Sequence, residues 1–163
     1  MSRITTKITV RDHIAEYARA KWGKDSRNPI CIPRDISLYV LLENLLRRRP
    51  KTAPMDTGNL EIVLSCRHRG VKKPAIYNFL TKKSAKILDK AIEVQMWAEF
   101  HDTLDRKKHI EGYNYIHTIH SLLAKYSISS ITDELLLKNY YRYRKRIRYT
   151  SVKQRSYRRK NET

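Results

Sequence analysis

The sequence predicts a mainly α-helical domain with a minor two-stranded β element and a C-terminal helical hairpin that resembles a helix-turn-helix. Three observations lead to this fold class. Only four glycines and five prolines interrupt the 163 residues, which leaves long segments free of helix breakers. Apolar side chains recur at the spacing of one helix face over most of the chain. The alternation that is typical of a strand occurs in short segments only.

Both predicted strands lie in the N-terminal half. Residues 6–10 alternate in polarity and residues 59–65 place three apolar side chains on one side, so two short strands are predicted that can pair. The order strand, helix, connector, helix over residues 5–49 is also similar to the ribbon-helix-helix family. In that family, alternate strand residues of a dimer enter the major groove, and here these would be Thr5, Lys7 and Thr9. The connector 24–34 is much longer than that family uses, which favours the internal strand pair.

Two helices are predicted in the same half. The first ends at Gly23, because glycine is common after helix C-termini. The second begins at Asp35 or Ser37, either of which can cap it. It ends at the three arginines 47–49, because the proline that follows them cannot continue a helix. Residues 51–58 are a connector and the candidate sub-boundary of the domain.

The C-terminal half begins with a predicted short helical turn through Tyr77 and Phe79. The longest helix follows, with Ser84 as its predicted cap and the basic residues 106–108 at its end. Apolar and aromatic side chains cover so much of its circumference that we expect a central pillar, buried on more than one side. These side chains are Ile87, Leu88, Ala91, Ile92, Val94, Trp97, Ala98, Phe100, His101 and Leu104.

The predicted helical hairpin occupies residues 113–147. Its tight turn contains three serines, and Ser130 followed by Asp133 approximates a capping box for the last helix. The apolar stripe of that helix consists of Leu136, Tyr140, Tyr143 and Ile147. The opposite, exposed face is predicted to carry Asn139, Arg142 and Arg146, with Lys138 and Lys145 beside them.

Asparagine and arginine are the usual readers of adenine and guanine in the major groove. A recognition helix normally enters the groove with its N-terminal end, yet here that end carries Asp133 and Glu134. Since phosphates would repel these carboxylates, we expect the C-terminal half of the helix to bind. Such binding favours backbone contact over sequence reading.

The net charge of +19 is concentrated near the C-terminus. Residues 138–160 hold eleven cations and no acidic residue, and these cations repel one another unless a polyanion is bound. Lysine and arginine neutralise phosphates, and tyrosine rings stack on unpaired bases. The predicted nucleic-acid-binding residues are Lys138, Asn139, Arg142, Arg144, Lys145, Arg146, Arg148, Tyr149, Lys153, Arg155, Tyr157, Arg158, Arg159 and Lys160.

The domain boundary is predicted where the apolar pattern stops. Residues 1–149 form the mainly helical domain, and residues 150–163 form a basic, flexible tail.

Catalytic templates are missing from the sequence. It contains no phosphate-binding Gly-x-x-x-x-Gly-Lys segment, no His-x-x-Arg of a tyrosine recombinase and no His-hydrophobe-His of a relaxase. His117 and His120 supply two metal ligands at most. We therefore predict no catalytic residue, no metal and no cofactor. An enzyme acting on nucleic acid is a further alternative, and it requires Glu99, Asp102 and Asp105 to converge on a metal.

The sequence also bears on location. The longest segment without Lys, Arg, Asp or Glu covers residues 112–124, which is shorter than the roughly 20 apolar residues of a membrane span. Cys31 and Cys66 lack the spacing of a disulfide framework, and the N-terminus lacks a secretory signal. We expect no membrane association and a reducing, cytoplasmic location.

Three segments, taken in order, resemble a known group of proteins. They are 6–10 (TKITV), 56–62 (DTGNLEI) and 137–144 (LKNYYRYR). Their order is similar to that of small basic proteins of unassigned role encoded in phage and mobile-element gene clusters of Bacteroides-type bacteria. The resemblance implies a bacterial cytoplasm, association with the nucleoid and a part in DNA transactions. It carries no catalytic motif and assigns no functional residue.

The leading expectation is a nucleic-acid-binding protein, with DNA favoured over RNA. One alternative is a protein-interaction or assembly subunit whose basic tail docks on an acidic partner, for instance within a complex that acts on DNA. An RNA-binding protein is the second. Duplex and single strand both fit, because tyrosine stacking suits unpaired bases whereas an exposed helix face suits a duplex backbone. The sequence leaves oligomeric state and sequence specificity open.

Overall fold

Helices carry most of the chain in the computed structural model, which describes residues 4–53, 55–64 and 72–161, with side chains up to residue 149 except that of Ser26. The mainly helical class and the minor β element are confirmed. In chain order the elements are β1 (Ile4–Ile8), α1 (Asp12–Trp22), a 3-10 turn (Lys24–Ser26), α2 (Ser37–Leu45), β2 (Arg47–Arg48), β3 (Leu60–Leu64), β4 (Tyr77–Phe79), α3 (Lys82–His109), α4 (Tyr115–Lys125) and α5 (Asp133–Asn161).

The predicted strand pair is confirmed. β1 and β3 are antiparallel, with Ile4 opposite Leu64 and Ile8 opposite Leu60. β1 begins two residues before the predicted start at Thr6. β1 pairs with β3 of the same chain. In the ribbon-helix-helix arrangement, by contrast, the strand pairs with the same strand of a second copy.

A second strand pair was not predicted. β2 and β4 are antiparallel, with Arg47 opposite Phe79. The expected continuation of the second helix through 47–49 is therefore wrong, and so is the expected helical turn at Tyr77 and Phe79. Pairing with a segment some thirty residues away decides both conformations, and periodicity within either segment cannot report it.

The end of α2 is held by a lysine from a distant loop. Lys72 Nζ donates to the carbonyl oxygens of Glu43, Asn44 and Leu46, at 2.8, 3.1 and 3.0 Å. Since an ammonium has three donors, it satisfies three of the carbonyls that a helix C-terminus leaves without partners. The chain therefore leaves the helix at Leu46 before the arginines begin.

The predicted helix caps are also corrected. α2 begins after Ile36, and neither Asp35 nor Ser37 caps it with a side chain. α3 is capped by Thr81, whose hydroxyl oxygen accepts from the N–H of Ser84 at 3.1 Å. Ser84 is thus the residue that is capped.

The connector 24–34 contributes to the core, although it was predicted to be a polar link. Ile30 is fully buried and bonds to β3, donating to Glu61 O and accepting from Val63 N–H. The turn that brings it there needs Gly23, because a Cβ at that position would lie 2.2 Å from the carbonyl oxygen of Arg27. α1 therefore ends before Gly23 as predicted, through close backbone approach at a negative φ.

α3 is the central pillar of the fold and packs against α1, α2 and α4. One of its faces enters the core through Leu88, Ile92, Met96, Phe100 and Leu104. A second apolar row, Ile87, Ala91, Val94 and Ala98, is called the α3 outer row below. Val94 is 58% exposed and Ile87 is 42% exposed, so the expected burial of α3 on more than one side fails along this row.

α4 and α5 form the predicted helical hairpin and pack against each other. Residues 126–132 join them, a longer connection than the 3–4-residue turn of a helix-turn-helix. The proposed capping box at Ser130 is wrong. The N–H and hydroxyl groups of Ser129 and Ser130 donate to the Glu16 carboxylate, and the N–H of Leu135 donates to Thr132 Oγ1 at 3.4 Å.

α5 continues past the expected boundary at residue 149. Its backbone is helical to Asn161, where the sequence predicted a separate flexible tail from 150. The segment 133–161 contains no glycine or proline and many lysines and arginines, which favour helix without an apolar stripe. None of the described helices is both long and apolar enough to cross a bilayer.

Candidate nucleic-acid interface

The inner face of α5 is its attachment to the rest of the domain. Leu136 and Tyr140 are buried, and Tyr143 is half-buried. Ile147, the last residue of the predicted apolar stripe, is exposed and borders an open groove of about 700 Å³ between α5 and α3. The stripe is therefore core in its first half only.

Asp105 of α3 fixes α5 through two hydrogen bonds to one oxygen. Tyr140 Oη donates to Asp105 Oδ1 at 2.6 Å, and Arg144 Nη1 donates to the same atom at 2.7 Å. Burial and the hydrogen bond to Asp105 raise the pKa of Tyr140 above its usual range. Arg144 was predicted as a nucleic-acid-binding residue, but its guanidinium forms an internal ion pair with Asp105.

His101 of α3 makes the second attachment. Its ring stacks on Tyr143 with centroids 4.0 Å apart and on Trp97 with centroids 5.9 Å apart. The His101 Nε2–H donates to Asn139 Oδ1 at 2.9 Å. Burial lowers the pKa of His101 more than this hydrogen bond raises it, which keeps the ring neutral near pH 7. Asn139 therefore faces α3, and its expected place on the exposed face is wrong.

The exposed face of α5 carries a line of cations and aromatic rings, here called the α5 outer face. It consists of Lys138, Tyr141, Arg142, Lys145 and Tyr149, all of which are exposed. Their spacing of three or four residues places them on one side of the helix. From Lys138 to Tyr149 this side is about 16 Å long, at 1.5 Å per residue.

Three of these cations lack an internal counter-charge. No side-chain hydrogen bond or ion pair joins Lys138, Arg142 or Lys145 to another residue that the structure describes. Arg144 on the same helix differs, because Asp105 holds it. The positive field of the α5 outer face is therefore directed to solvent.

Tyr141 was absent from the predicted binding residues. Its ring is 53% exposed and touches Tyr115 edge-on at 6.2 Å. The signal that could have found it is its position three residues after Lys138 and four before Lys145, which puts it on the same side of the helix.

The other predicted residues divide into two groups. Arg146 borders the groove between α3 and α5, and Arg148 is exposed beside the α5 outer face. The side chains of the second group lie outside the described ones, although their backbone belongs to α5. They are Lys153, Arg155, Tyr157, Arg158, Arg159 and Lys160.

Two of the three acidic residues that a metal-dependent enzyme would need, Glu99 and Asp105, are engaged by other side chains. Glu99 accepts from Tyr17 Oη at 2.8 Å, and from Lys21 and Tyr126. Burial alone would raise the pKa of Glu99, but these hydrogen bonds outweigh it and lower that pKa below its usual value. Asp105 accepts a hydrogen bond from Tyr140 of α5. No group of three potential metal ligands converges among the described residues.

The histidine pair of α4 is likewise divided. His117 stacks on Tyr113, and His120 Nε2 lies 3.3 Å from Asp133 Oδ2 at the start of α5. The hydrogen bond with His120 lowers the pKa of Asp133. The N-terminal end of α5 thus keeps its negative charge, as expected from the sequence.

Comparison of this chain with protein-family models, with curated proteins and with solved structures finds no match.

Proposed function

We propose that this protein binds nucleic acid, with DNA as the preferred partner, through the phosphates that meet the α5 outer face. One observation carries the proposal: Lys138, Arg142 and Lys145 form an exposed line, and none of these three side chains makes an ion pair with a carboxylate that the structure describes. Cations in that arrangement repel one another, and a phosphate backbone relieves the repulsion and releases its condensed counterions.

The side chains have distinct roles in this proposal. Lys138 and Lys145 act as point charges, and the planar fork of Arg142 suits a phosphate. The exposed rings of Tyr141 and Tyr149 offer faces for unpaired bases or hydroxyls for phosphate oxygens. Asn139 faces α3, so the readout is of the nucleic-acid backbone more than of base identity.

The proposed setting follows the sequence resemblance. It is a DNA transaction of a phage or mobile element in a bacterial cytoplasm, with the protein on the nucleoid. RNA binding is the alternative that shares the same surface, and the experiment below separates it from DNA binding.

The test is a salt titration on the full chain. Fluorescence anisotropy with a labelled 20-base-pair duplex between 50 and 200 mM salt gives the slope of log affinity against log salt. Replacing Lys138, Arg142 and Lys145 with glutamine removes three cations, so the slope should become shallower by about 2.7, at about 0.9 per phosphate contact. A control with the same charge change replaces Lys24, Arg27 and Lys51, which are exposed on other segments.

We expect the control to keep at least most of the parental slope. A slope that is flat in the parent protein would refute phosphate binding, and equal losses in both variants would refute the assignment to the α5 outer face. Competition by single-stranded DNA and by RNA of the same length, at matched salt, ranks the three ligands. Stronger competition by RNA would overturn the preference for DNA.

A further inference from the structure

An open groove of about 1030 Å³ separates α2 from α3, away from the residues of the α5 outer face. The α2 side is formed by Ile36, Leu38 and Leu41, and the α3 side is formed by the α3 outer row. Lys83, Lys86 and Lys90 line it along α3. Its floor is therefore aliphatic and its edge is cationic.

The α3 outer row has the spacing of a helix-packing seam. Ile87, Ala91, Val94 and Ala98 follow one another at four, three and four residues, which is the interval at which one helix packs along another. α3 already buries a different row in the core, through Leu88, Ile92 and Met96. The α3 outer row therefore offers a concave apolar surface on which another helix can pack.

The charges of the groove select its occupant. All charged residues among the described ones that line it are lysines. Lys90 Nζ donates to Glu93 at 2.7 Å, whereas Lys83 and Lys86 are exposed and have no anionic partner within the described part of the chain. A partner that covers the aliphatic floor and also neutralises these lysines must combine an apolar side with an acidic edge.

We propose that this groove binds an amphipathic helix of an acidic partner protein, with the apolar side of that helix on the α3 outer row and its acidic edge against Lys83 and Lys86. The groove follows α3 from Lys83 to Ala98, which is about 22 Å at 1.5 Å per residue. It thus accommodates a helix of about 15 residues, in the manner of other helix-in-groove complexes.

Two other occupants fit less well. A second copy of this chain would bring +19 of like charge to a lysine edge. A nucleic acid could pair its phosphates with the lysine edge, but its bases would meet a floor of isoleucine, leucine, valine and alanine that offers no aromatic ring for stacking. The groove proposal is independent of the nucleic-acid proposal, because the two rest on different residues.

The experiment uses the full chain, purified with nuclease treatment, and a labelled 16-residue synthetic peptide. The peptide is an amphipathic helix with leucines at four-three-four spacing and glutamates along one edge. Fluorescence anisotropy should show saturable binding. Val94→Asp places a charge on the exposed part of the floor and should weaken binding by about tenfold or more, with the unfolding midpoint unchanged because Val94 is exposed.

Charge is tested separately from apolar contact. Lys83→Gln with Lys86→Gln should weaken the peptide by about threefold to tenfold, whereas Lys24→Gln with Lys51→Gln, an equal charge change on other exposed segments, should leave it unchanged. A peptide with serines in place of leucines should bind about tenfold more weakly or worse.

Three results would overturn the proposal. Equal weakening by the two lysine pairs would reduce the effect to the general charge of the protein. Sedimentation that shows a dimer, dissociated by Val94→Asp, would make a second copy the occupant. Displacement of the peptide by a 20-base-pair duplex, together with loss of duplex affinity in Val94→Asp, would make the groove a nucleic-acid surface.

Discussion

Replacing Glu93 with glutamine tests the ion pair that joins the start of α1 to the pillar helix. Arg11 Nη1 donates to Glu93 Oε1 at 2.8 Å, and Arg11 Nη2 donates to Asp89 Oδ2 at 2.9 Å. Lys90 Nζ also donates to Glu93, at 2.7 Å. The hydrogen bond from Arg11 is the largest influence on the pKa of Glu93 and lowers it to about 2, against burial, which would raise it.

The size of the effect follows from that pKa. A fall in pKa from 4.5 to about 2 corresponds to at most about 3.4 kcal/mol of unfolding free energy, at 1.36 kcal/mol for each pKa unit. Arg11 is 45% exposed and Lys90 is 70% exposed, so solvent screens both pairs. We therefore expect Glu93→Gln to reduce the unfolding free energy at pH 7 by about 1 to 2 kcal/mol.

The sign of the pH dependence is fixed by linkage. The pKa of Glu93 is lower in the folded state, so its contribution is complete well above pH 4.5 and is lost as the pH falls towards 2. At pH 3 about two-fifths of the contribution should remain. The difference in unfolding free energy between parent and variant should shrink accordingly.

Urea denaturation followed by circular dichroism at pH 7, 5 and 3 measures this difference. Glu134→Gln is the matched control, because Glu134 is an exposed carboxylate at the start of α5; its effect should stay within about 0.5 kcal/mol. A difference for Glu93→Gln that is the same at pH 7 and pH 3 would refute the electrostatic reasoning and assign the loss to packing. No difference at pH 7 would show that solvent cancels the pair.

Three further changes have defined outcomes. Tyr140→Phe removes one hydrogen bond to Asp105 and should lower the unfolding free energy by about 1 to 2 kcal/mol, as measured by urea denaturation; an unchanged value would mean that Arg144 alone holds Asp105. Lys72→Met removes three hydrogen bonds to the end of α2 and should lower the unfolding free energy by about 1 to 2 kcal/mol, about the net value of its charged contacts. Hydrogen exchange should increase in α2; exchange in α2 that is no faster than in the parent would contradict a local capping role. Truncation after Thr150 removes five cations and should reduce the salt slope of duplex binding by up to about 4.5. Cooperative unfolding should be retained because Leu136 and Tyr140 remain; its loss would show that the stability of the domain depends on residues 151–163.

The elements that sequence could predict are those specified by their own periodicity. β1, β3 and the helices were found within a few residues, except for the C-terminal end of α5, because alternation and the 3.6-residue repeat are local properties. Caps and β4 were not found. The cap of α3 depends on which hydroxyl, that of Thr81 or that of Ser84, meets a free N–H. β4 depends on β2, which lies about thirty residues earlier in the chain.

The residues of the candidate site also fall into those that helix geometry predicts and those that depend on distant partners. Lys138, Arg142 and Lys145 were predicted correctly as exposed, because their common side follows from helix geometry. Asn139 was predicted on the wrong side of the helix, and the ion pair of Arg144 was not predicted, because their partners, His101 and Asp105, lie 38 and 39 residues earlier in the chain. Neighbouring basic residues of α5 therefore differ: some face solvent, and one is paired with a carboxylate of α3. Only tertiary contacts distinguish the two kinds.

This separation explains why the location of the net charge is more informative than its size. Every internal ion pair, such as Arg144 with Asp105 or Lys21 with Glu99, removes one charge of each sign and leaves the sum of +19 unchanged. The excess must therefore lie on cations without an anion. In α5 the acidic residues are Asp133 and Glu134, both in the first turn, so the cations further along must find anions on other helices or remain exposed. α3 supplies Asp105 to one of them, and the α5 outer face is the side that its carboxylates do not reach.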